Sequence, residues 1–413
     1  MNEQKLVALY GAGALEAQRA RYTGLKRAHE AHFGLRSGMI YVSAPGRTEI
    51  AGNHTDHNHG RVLAAAVNLD TLATVTPNDS DVVTIFSEGY EHPFVIDLRN
   101  TDVIHAERET SLALIRGVAA CMKAEGYEIG GFDAAVTSTV FKGSGLSSSA
   151  AFEVLICAIF DALYNGFSLD AKLRARIAQY AENEYFGKPC GLMDQMASSV
   201  GGLVGIDFGH SPVWVDAMNY DFEGRGYALA VVSAGGEHGN LTAEYAAMPI
   251  EMKQVAAALG GQVLRDIPPD AIENGIARLK GNVSDRAILR ALHFVDEDAR
   301  AARLTEALRN DDLHAFFEGI IESGESSWKL LQNIYVPGGD NQEMSLALEM
   351  SRRLLRGRGA WRIHGGGFAG TILAFVPLDY LGHYAQCISE VFGEHAVTRL
   401  MIRPHGPVCM AAQ

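Results

Sequence analysis

Cysteine is scarce in this 413-residue chain: Cys121, Cys157, Cys190, Cys387 and Cys409 are odd in number, far apart and never arranged as C-x-x-C. That usage excludes a disulfide framework and a zinc ribbon, and it suits buried thiols in a reducing compartment. Basic residues are also in deficit, 35 Lys and Arg against 49 Asp and Glu, giving a net charge of −14 with histidine neutral. A chain this acidic is a poor general binder of nucleic acid or of an anionic membrane surface. Any anionic ligand must be held by a few local cations and backbone amides. No run of about 18 uncharged apolar residues occurs, so no membrane-spanning helix is expected. The opening MNEQKLVALYGAGALEAQ has no basic stretch before its short apolar segment, so no signal peptide is expected either. Internal repeats, low-complexity tracts and a Pro/Ser linker are missing too. The expectation is a soluble cytoplasmic protein.

What is present makes a folded core. Hydrophobic residues are 47% and charged residues 20%, a balance that excludes intrinsic disorder. The length suits two or three domains or one large α/β unit. Glycine is in excess, 44 of 413 residues, or about 11% against about 7% on average. It clusters at 143–145, 201–205, 235–239 and 365–370, where turns or close backbone approach are expected.

Periodicity predicts helices over 14–33, 111–125, 150–164, 173–184, most of 284–335, 346–355 and 380–392. It predicts strands over 39–43, 62–68, 72–76, 82–86, 94–96, 132–140, 227–233 and 371–376, with strand-like, Gly-rich chain from the 173–184 helix to about 215. The 150–164 helix is apolar nearly all round and so is expected to be buried. Strands outweigh helices before about residue 220 and helices dominate after it. Two domains are expected, 1–219 and 220–413, sharing an interface with a cleft.

Four segments carry chemistry. Gly143-Ser144-Gly145-Leu146-Ser147-Ser148-Ser149 lies between a strand and a helix. Its glycines let N–H groups converge, the helix N-terminus favours an anion, and serine hydroxyls bond phosphate or Mg²⁺. No lysine follows, so it is not a G-x-x-x-x-G-K-S/T loop. The bland reading is a turn with a serine cap; three serines after G-x-G-L favour phosphate.

The segment Arg47-Thr48-Glu49-Ile50-Ala51-Gly52-Asn53-His54-Thr55-Asp56-His57-Asn58-His59 follows a strand and a Pro-Gly turn. It reads equally as a metal site, a polyol site or a solvated loop; the lack of a second histidine cluster weighs against metal. Cys190-Gly191-Leu192-Met193-Asp194-Gln195 sets one carboxylate among apolar neighbours, either an ion-pair partner or a tuned base. Glu182, twelve residues earlier, lies on a predicted helix. Gly365-Gly366-Gly367-Phe368-Ala369-Gly370 precedes a strand as a turn or a ligand-adjacent loop.

The order APGR, HTDHN, GSGLSSSAA, CGLMDQ, GGGFAG resembles the galactokinase branch of the GHMP small-molecule kinases, from about Tyr22 to the end. The resemblance implies a two-domain α+β fold, with a ribosomal-protein-S5-like first domain and a ferredoxin-like second. It implies a soluble monomer or weak homodimer that takes a sugar and ATP and forms the α-sugar 1-phosphate. Gly143 to Ser149 matches the ATP-phosphate loop, Ser149 and Glu182 the Mg²⁺ ligands, Asp194 the base and Arg47 the transition-state stabiliser. Asn53, His54, Thr55, Asp56, Gly191 and Tyr245 match sugar-binding positions.

The family pattern reads roughly R-V-N-L-I-G-E-H-T-D-Y-N where this chain has Arg47-Thr-Glu-Ile-Ala-Gly-Asn53-His54-Thr55-Asp56-His57-Asn58. The glutamate has become Asn53 and the tyrosine His57. A galactose kinase is expected, with a C6-modified sugar such as galacturonate as the alternative. His364 and Ala369 also depart from the pattern. A non-catalytic sugar sensor or a metal-binding hydrolase on His54, His57 and His59 completes the set of readings.

Overall fold

The computed structural model describes residues 3–140, 145–235, 241–336, 340–368 and 370–412. The chain opens with α1 (Glu3–Tyr10) and α2 (Leu15–Phe33), then β1 (Ile40–Ala51), β2 (Arg61–Pro77), β3 (Val82–Ser87), β4 (Phe94–Asp97), α3 (Ser111–Ala124) and β5 (Phe132–Ser138). Next come α4 (Ser148–Tyr164), α5 (Ala171–Tyr180), α6 (Met193–Val200), β6 (Leu203–Asp207), β7 (Trp214–Met218), β8 (Tyr227–Gly235) and α7 (Thr242–Ala258). The remainder holds two short helices, α8 (Pro269–Asn274) and α9 (Ile276–Leu279), then α10 (Asp285–Arg309), α11 (Leu313–Ser326) and α12 (Glu343–Leu355). It ends with β9 (Ala360–His364), β10 (Gly370–Pro377), α13 (Leu381–Phe392), β11 (Val397–Leu400) and β12 (Val408–Ala411).

Among the described residues the strands make two sheets. The first runs β12-β1-β2-β5-β3-β4, with β6 and β7 continuing from β2; the second runs β11-β8-β10-β9. Strands before residue 220 all lie in the first sheet and those from 227 to 400 in the second. The last strand then returns to the first, pairing Ile40 with Ala411. The expected 220–413 unit thus loses its final strand to the other sheet. The mixture of packed helices with sheets that are antiparallel except at the parallel β3–β5 pair is the expected α+β class.

The 62–68 and 72–76 strands are one strand, β2. Two polar residues interrupt its apolar pattern: half-buried Asn68, whose Oδ1 accepts from the Met401 N–H at 2.8 Å, and Asp70, which faces a buried polar knot. Asp70 accepts from Tyr10 Oη at 2.5 Å, Arg21 Nη1 at 2.6 Å, Arg403 Nη1 at 3.3 Å and the Ser43 hydroxyl. β1 also outruns its expected end at Pro45-Gly46. Register shifts between Pro45 and Arg47, and between Glu49 and Ala51, absorb the proline in a bulge and carry the strand on. α6 falls where strand-like chain was expected. Its Met193, Met196 and Ala197 pack on Val62, Ala64, Val204 and Ile206. In eight residues the helical and strand periods are hard to tell apart. α7, β9, β11 and β12 are elements that the periodicity did not predict.

α3, α4 and α5 cover one face of the first sheet, with Val118, Leu155, Ile159 and Ile177 against Val75, Ile85, Ile96 and Val136. A second core joins the sheets: Ile50, Leu63 and Val67 of the first, Leu229, Val231, Leu373 and Phe375 of the second, and Leu304 and Phe316 of α10 and α11. Each such side chain contributes about 1.5–3 kcal/mol on burial, so the halves are welded and not tethered.

The Asp70 knot generates a stability prediction. Burial would raise the Asp70 pKa, but Arg21 and Arg403 hold it below its ordinary value. Its stabilisation is therefore present above the unfolded value of about 3.9 and lost as pH falls further. Asp70→Asn leaves buried Arg403 and part-buried Arg21 without their counter-charge and should cost about 3–5 kcal/mol in urea denaturation at pH 7. A loss under about 1 kcal/mol would make the knot incidental.

Candidate active site

β1 carries Arg47 to the seam between the sheets. Arg47 is buried and makes a two-pronged pair with half-buried Asp194 of α6, Nε to Oδ1 at 2.7 Å and Nη2 to Oδ2 at 2.6 Å. The fork matches the carboxylate plane, the strongest arrangement for such a pair. Arg47 also donates from Nη1 to the Gly145 carbonyl and from its backbone N–H to the Leu146 carbonyl, at 3.0 Å for the latter. One guanidinium thus fixes both the carboxylate and the Gly/Ser loop. Burial pushes the Asp194 pKa up, but Arg47 and the Ser147 hydroxyl pull it below its ordinary value. Asp194 is ionised at neutral pH.

Gly143 and Ser144 lie outside the described residues. Gly145 (φ +69°) has no room for a side chain, since a Cβ there would sit 2.7 Å from His364 Nδ1. Leu146 is buried in the core that joins the sheets. Ser147 starts α4 in a left-handed conformation (φ +57°) and no side chain caps the helix. Its first-turn N–H groups and positive dipole end are therefore open to an anion. Ser149 Oγ donates to Glu182 Oε1 at 3.1 Å. Glu182 is buried in a π-turn, Ala181–Phe186, that ends α5. Lys188 Nζ lies 3.4 Å from Glu182 Oε1, and Gln195 Nε2 bridges Glu182 Oε2 (2.7 Å) and Glu153 Oε2 (3.1 Å). Burial, then the Glu182 charge, raises the Glu153 pKa well above its ordinary value.

The 52–58 loop divides in two. His54 (φ +59°) and Asp56 are half-buried at the seam. His54 Nε2 lies 3.0 Å from the Gly366 carbonyl and so is the protonated nitrogen, leaving Nδ1 as an acceptor. The Asp56 carboxylate accepts from the His57 N–H at 2.9 Å and reaches Gly191, where a Cβ would overlap its Oδ2. Tyr245 of α7 donates to the Gly367 carbonyl at 2.8 Å. Asn53 and Thr55, expected among the sugar contacts, are fully buried and turned into the protein. The Thr55 hydroxyl is directed at the Gly52 (2.9 Å) and Arg61 (2.6 Å) carbonyls. Among the described residues no three His, Cys, Asp or Glu side chains gather as a metal cage, so His54, Asp56, His57 and His59 do not form one.

Several residues that sequence reasoning passed over, together with His364, which it noted only as a departure from the pattern, hold this arrangement. Glu297 of α10 accepts from the Gly52 N–H at 2.9 Å, and His293, one turn earlier, meets the Asn53 carbonyl at 2.9 Å. Arg362 of β9 pairs with Glu49 at 2.9 Å. His364 bridges Thr48 and Thr371 at 3.0 and 2.9 Å. Their i,i+4 or alternate-residue spacing is ordinary, and only the fold brings them together.

Burial, then nearby His57, lowers the His54 pKa to about 4. His54 is therefore expected to stay neutral across the physiological range and to take its proton only near pH 4, as read by ring-proton NMR. A midpoint near the ordinary 6.5 would mean a solvated ring detached from Gly366.

Comparison with known proteins fits this geometry. Residues 27–77 match the galactokinase galactose-binding signature and residues 113–202 the GHMP kinases N terminal domain. The chain is 30% identical over 374 residues to a galactokinase of Glaesserella parasuis, covering 87% of this chain and 91% of that one. It is 30% identical over 357 residues to a galactokinase of Streptomyces coelicolor, covering 85% and 88%. In structure it resembles Lactococcus lactis galactokinase complexed with galactose, with TM-score 0.83 and 21% identity over 94% of this chain and 99% of that one. A mevalonate kinase shares the fold with TM-score 0.63 and 15% identity, over 88% and 98%. With near-complete coverage of relatives at this identity, the chain belongs to the galactokinase family of GHMP kinases.

Proposed function

We propose that the protein transfers the γ-phosphoryl group of ATP to the anomeric hydroxyl of galactose, giving ADP and α-galactose 1-phosphate. The observation that carries this reading is the forked Arg47–Asp194 pair beside the uncapped N-terminus of α4. An anomeric hydroxyl is a weak nucleophile at neutral pH. Ionised Asp194 takes its proton as the oxygen attacks phosphorus, a contribution of about 10²- to 10⁴-fold. Arg47 stays charged throughout and stabilises negative charge on the reacting oxygens. The α4 N-terminus and Ser147 to Ser149 hold the phosphates in line.

Mg²⁺ is the cofactor we assign. The Ser149 hydroxyl and the buried Glu182 carboxylate, 3.1 Å apart, form a hard oxygen pair suited to it. When bound there it would neutralise phosphate charge. His54 and Asp56 are the sugar contacts favoured by their half-buried positions, with Gly191 and Tyr245 shaping the pocket. The galacturonate alternative requires Asn53 to face the ligand, and its buried amide withdraws that support. The five free thiols favour a reducing, cytoplasmic setting.

ADP release with Mg²⁺-ATP on galactose, galacturonate, N-acetylgalactosamine and arabinose tests the substrate: galactose should dominate, and preference for another sugar would overturn the assignment. Asp194→Asn should lower kcat by at least about 10² with ATP affinity retained; unchanged turnover would make Asp194 structural. Because the Asp194 pKa is depressed, the base is ionised above that value and lost only below it. The acid limb of kcat/KM should therefore fall below about 3.9. A limb near pH 6 that vanishes in Asp194→Asn would contradict this.

A further inference from the structure

Asn53 immediately precedes His54, which faces the seam, yet it is 0% exposed. Its Nδ2 donates to Glu49 Oε1 at 3.0 Å and to the Gly365 carbonyl at 2.9 Å. Its Oδ1 accepts from Asn333 Nδ2 at 2.8 Å and from Ser327 Oγ at 3.3 Å. A primary amide has two donor hydrogens and two acceptor lone pairs, so these four bonds saturate it. No polar valence remains for a sugar hydroxyl. Its backbone is held as well, N–H by Glu297 at 3.4 Å and carbonyl by His293 at 2.9 Å.

One partner, Glu49, comes from the preceding strand β1, and the others from distant segments: the 365–367 loop, the turn after α11, and α10. The next residue, His54, rests on the Gly366 carbonyl, one peptide on from the carbonyl that Asn53 holds. Asn333 Nδ2 also reaches Gly366 O, at 3.1 Å. The amide therefore sets the sugar loop in register with the glycine loop.

The chemistry at 53 admits an amide and not an acid. Glu49 already has Arg362 as its counter-charge, with both side chains withdrawn from water. A carboxylate at 53 would set acceptor against acceptor at Glu49 and at Gly365 O, and add a buried charge with no partner. The family pattern holds the same two residue types in reverse order, Asn at the place of Glu49 and Glu at the place of Asn53. One amide and one carboxylate at these two positions preserve the charge balance around Arg362.

We propose that Asn53 is a positioning residue: its amide clasps Glu49, Gly365, Ser327 and Asn333 so that His54 and Asp56 are presented to the sugar, and it does not touch the sugar itself. This rests on the galactose-kinase reading above.

The experiment is steady-state kinetics of Asn53→Asp on galactose and on its 2-, 3-, 4- and 6-deoxy analogues, with Glu49→Gln/Asn53→Asp as the rescue. Asn53→Asp should raise the galactose KM by about tenfold or more, leave the ATP KM unchanged and move kcat less than about threefold. The same factor should hold for every analogue. The double variant should recover most of it, because the amide introduced at position 49 can donate to the carboxylate introduced at position 53. A penalty that vanishes for one deoxy sugar would make Asn53 a direct contact and overturn the proposal. So would an unaltered galactose KM in Asn53→Asp, or no recovery in the double variant. If Asn53→Asp does not fold, Asn333→Ala removes one clasp bond from outside the sugar loop. It should raise the galactose KM several-fold, and an unchanged KM there would equally overturn the clasp. Failure of the kinase reading shows separately, as absence of galactose turnover by the unaltered protein.

Discussion

Two buried charges of opposite sign meet where the sheets touch. Glu49 on β1 and Arg362 on β9 are 2.9 Å apart, with side chains 3% and 0% exposed. Removing one partner of a buried pair costs about 3–5 kcal/mol, so neither side chain is stable there without the other. Burial works to raise the Glu49 pKa, against the pull of Arg362 and Arg47. The pair therefore dictates how the strands cross. With Glu49 on Arg362, Thr48 meets His364 and Arg47 reaches Asp194 and the Gly/Ser loop. The chain leaving β1 then enters the loop of Asn53 to Asp56. The proposed catalytic and sugar-side groups thus share one anchor.

The deficit of basic residues shapes the proposed chemistry. With a net charge of −14, the protein has no broad positive field to draw in a nucleotide. Its attraction is local: Arg47, the half-buried first turn of α4 and Lys188 beside Glu182. Most of this charge is already balanced within the protein, as Arg47 is by Asp194. A ligand therefore meets preorganised dipoles in a half-buried seam, where they act more strongly than in water.

Much of the site was legible because its residue types are chemically restricted. Glycine at 145 and 191 is demanded by close approach, and Arg47 with Asp194 form a matched fork. These residues lie in short, dense motifs whose order along the chain is informative. Long helices such as α2, α4 and α10 were legible from their 3.6-residue period. Short elements were not. α6 carries Asp194 in eight residues, and β9 carries Arg362 and His364 in five, too few for either period to emerge. β2 reads as two strands because Asn68 and Asp70 look like a loop until the Met401 backbone is brought to Asn68, and Arg21, Arg403 and Tyr10 to Asp70.

By itself the sequence determined the class of chemistry and the mixed α+β composition, and it singled out the turn, the carboxylate and the arginine proposed to bind phosphate and catalyse. Those follow from local rules: glycine's freedom, serine's hydroxyl, arginine's permanent charge. Only the tertiary structure decided which polar residues face the seam. Asn53 and His54 are adjacent in the chain, yet one is saturated by four residues of the protein while the other stands at the seam. Tertiary structure also decided that the chain returns to its first sheet at β12. Both outcomes depend on partners hundreds of residues away, and a hydrogen bond or a strand pairing has no signature in the residues on one side of it alone.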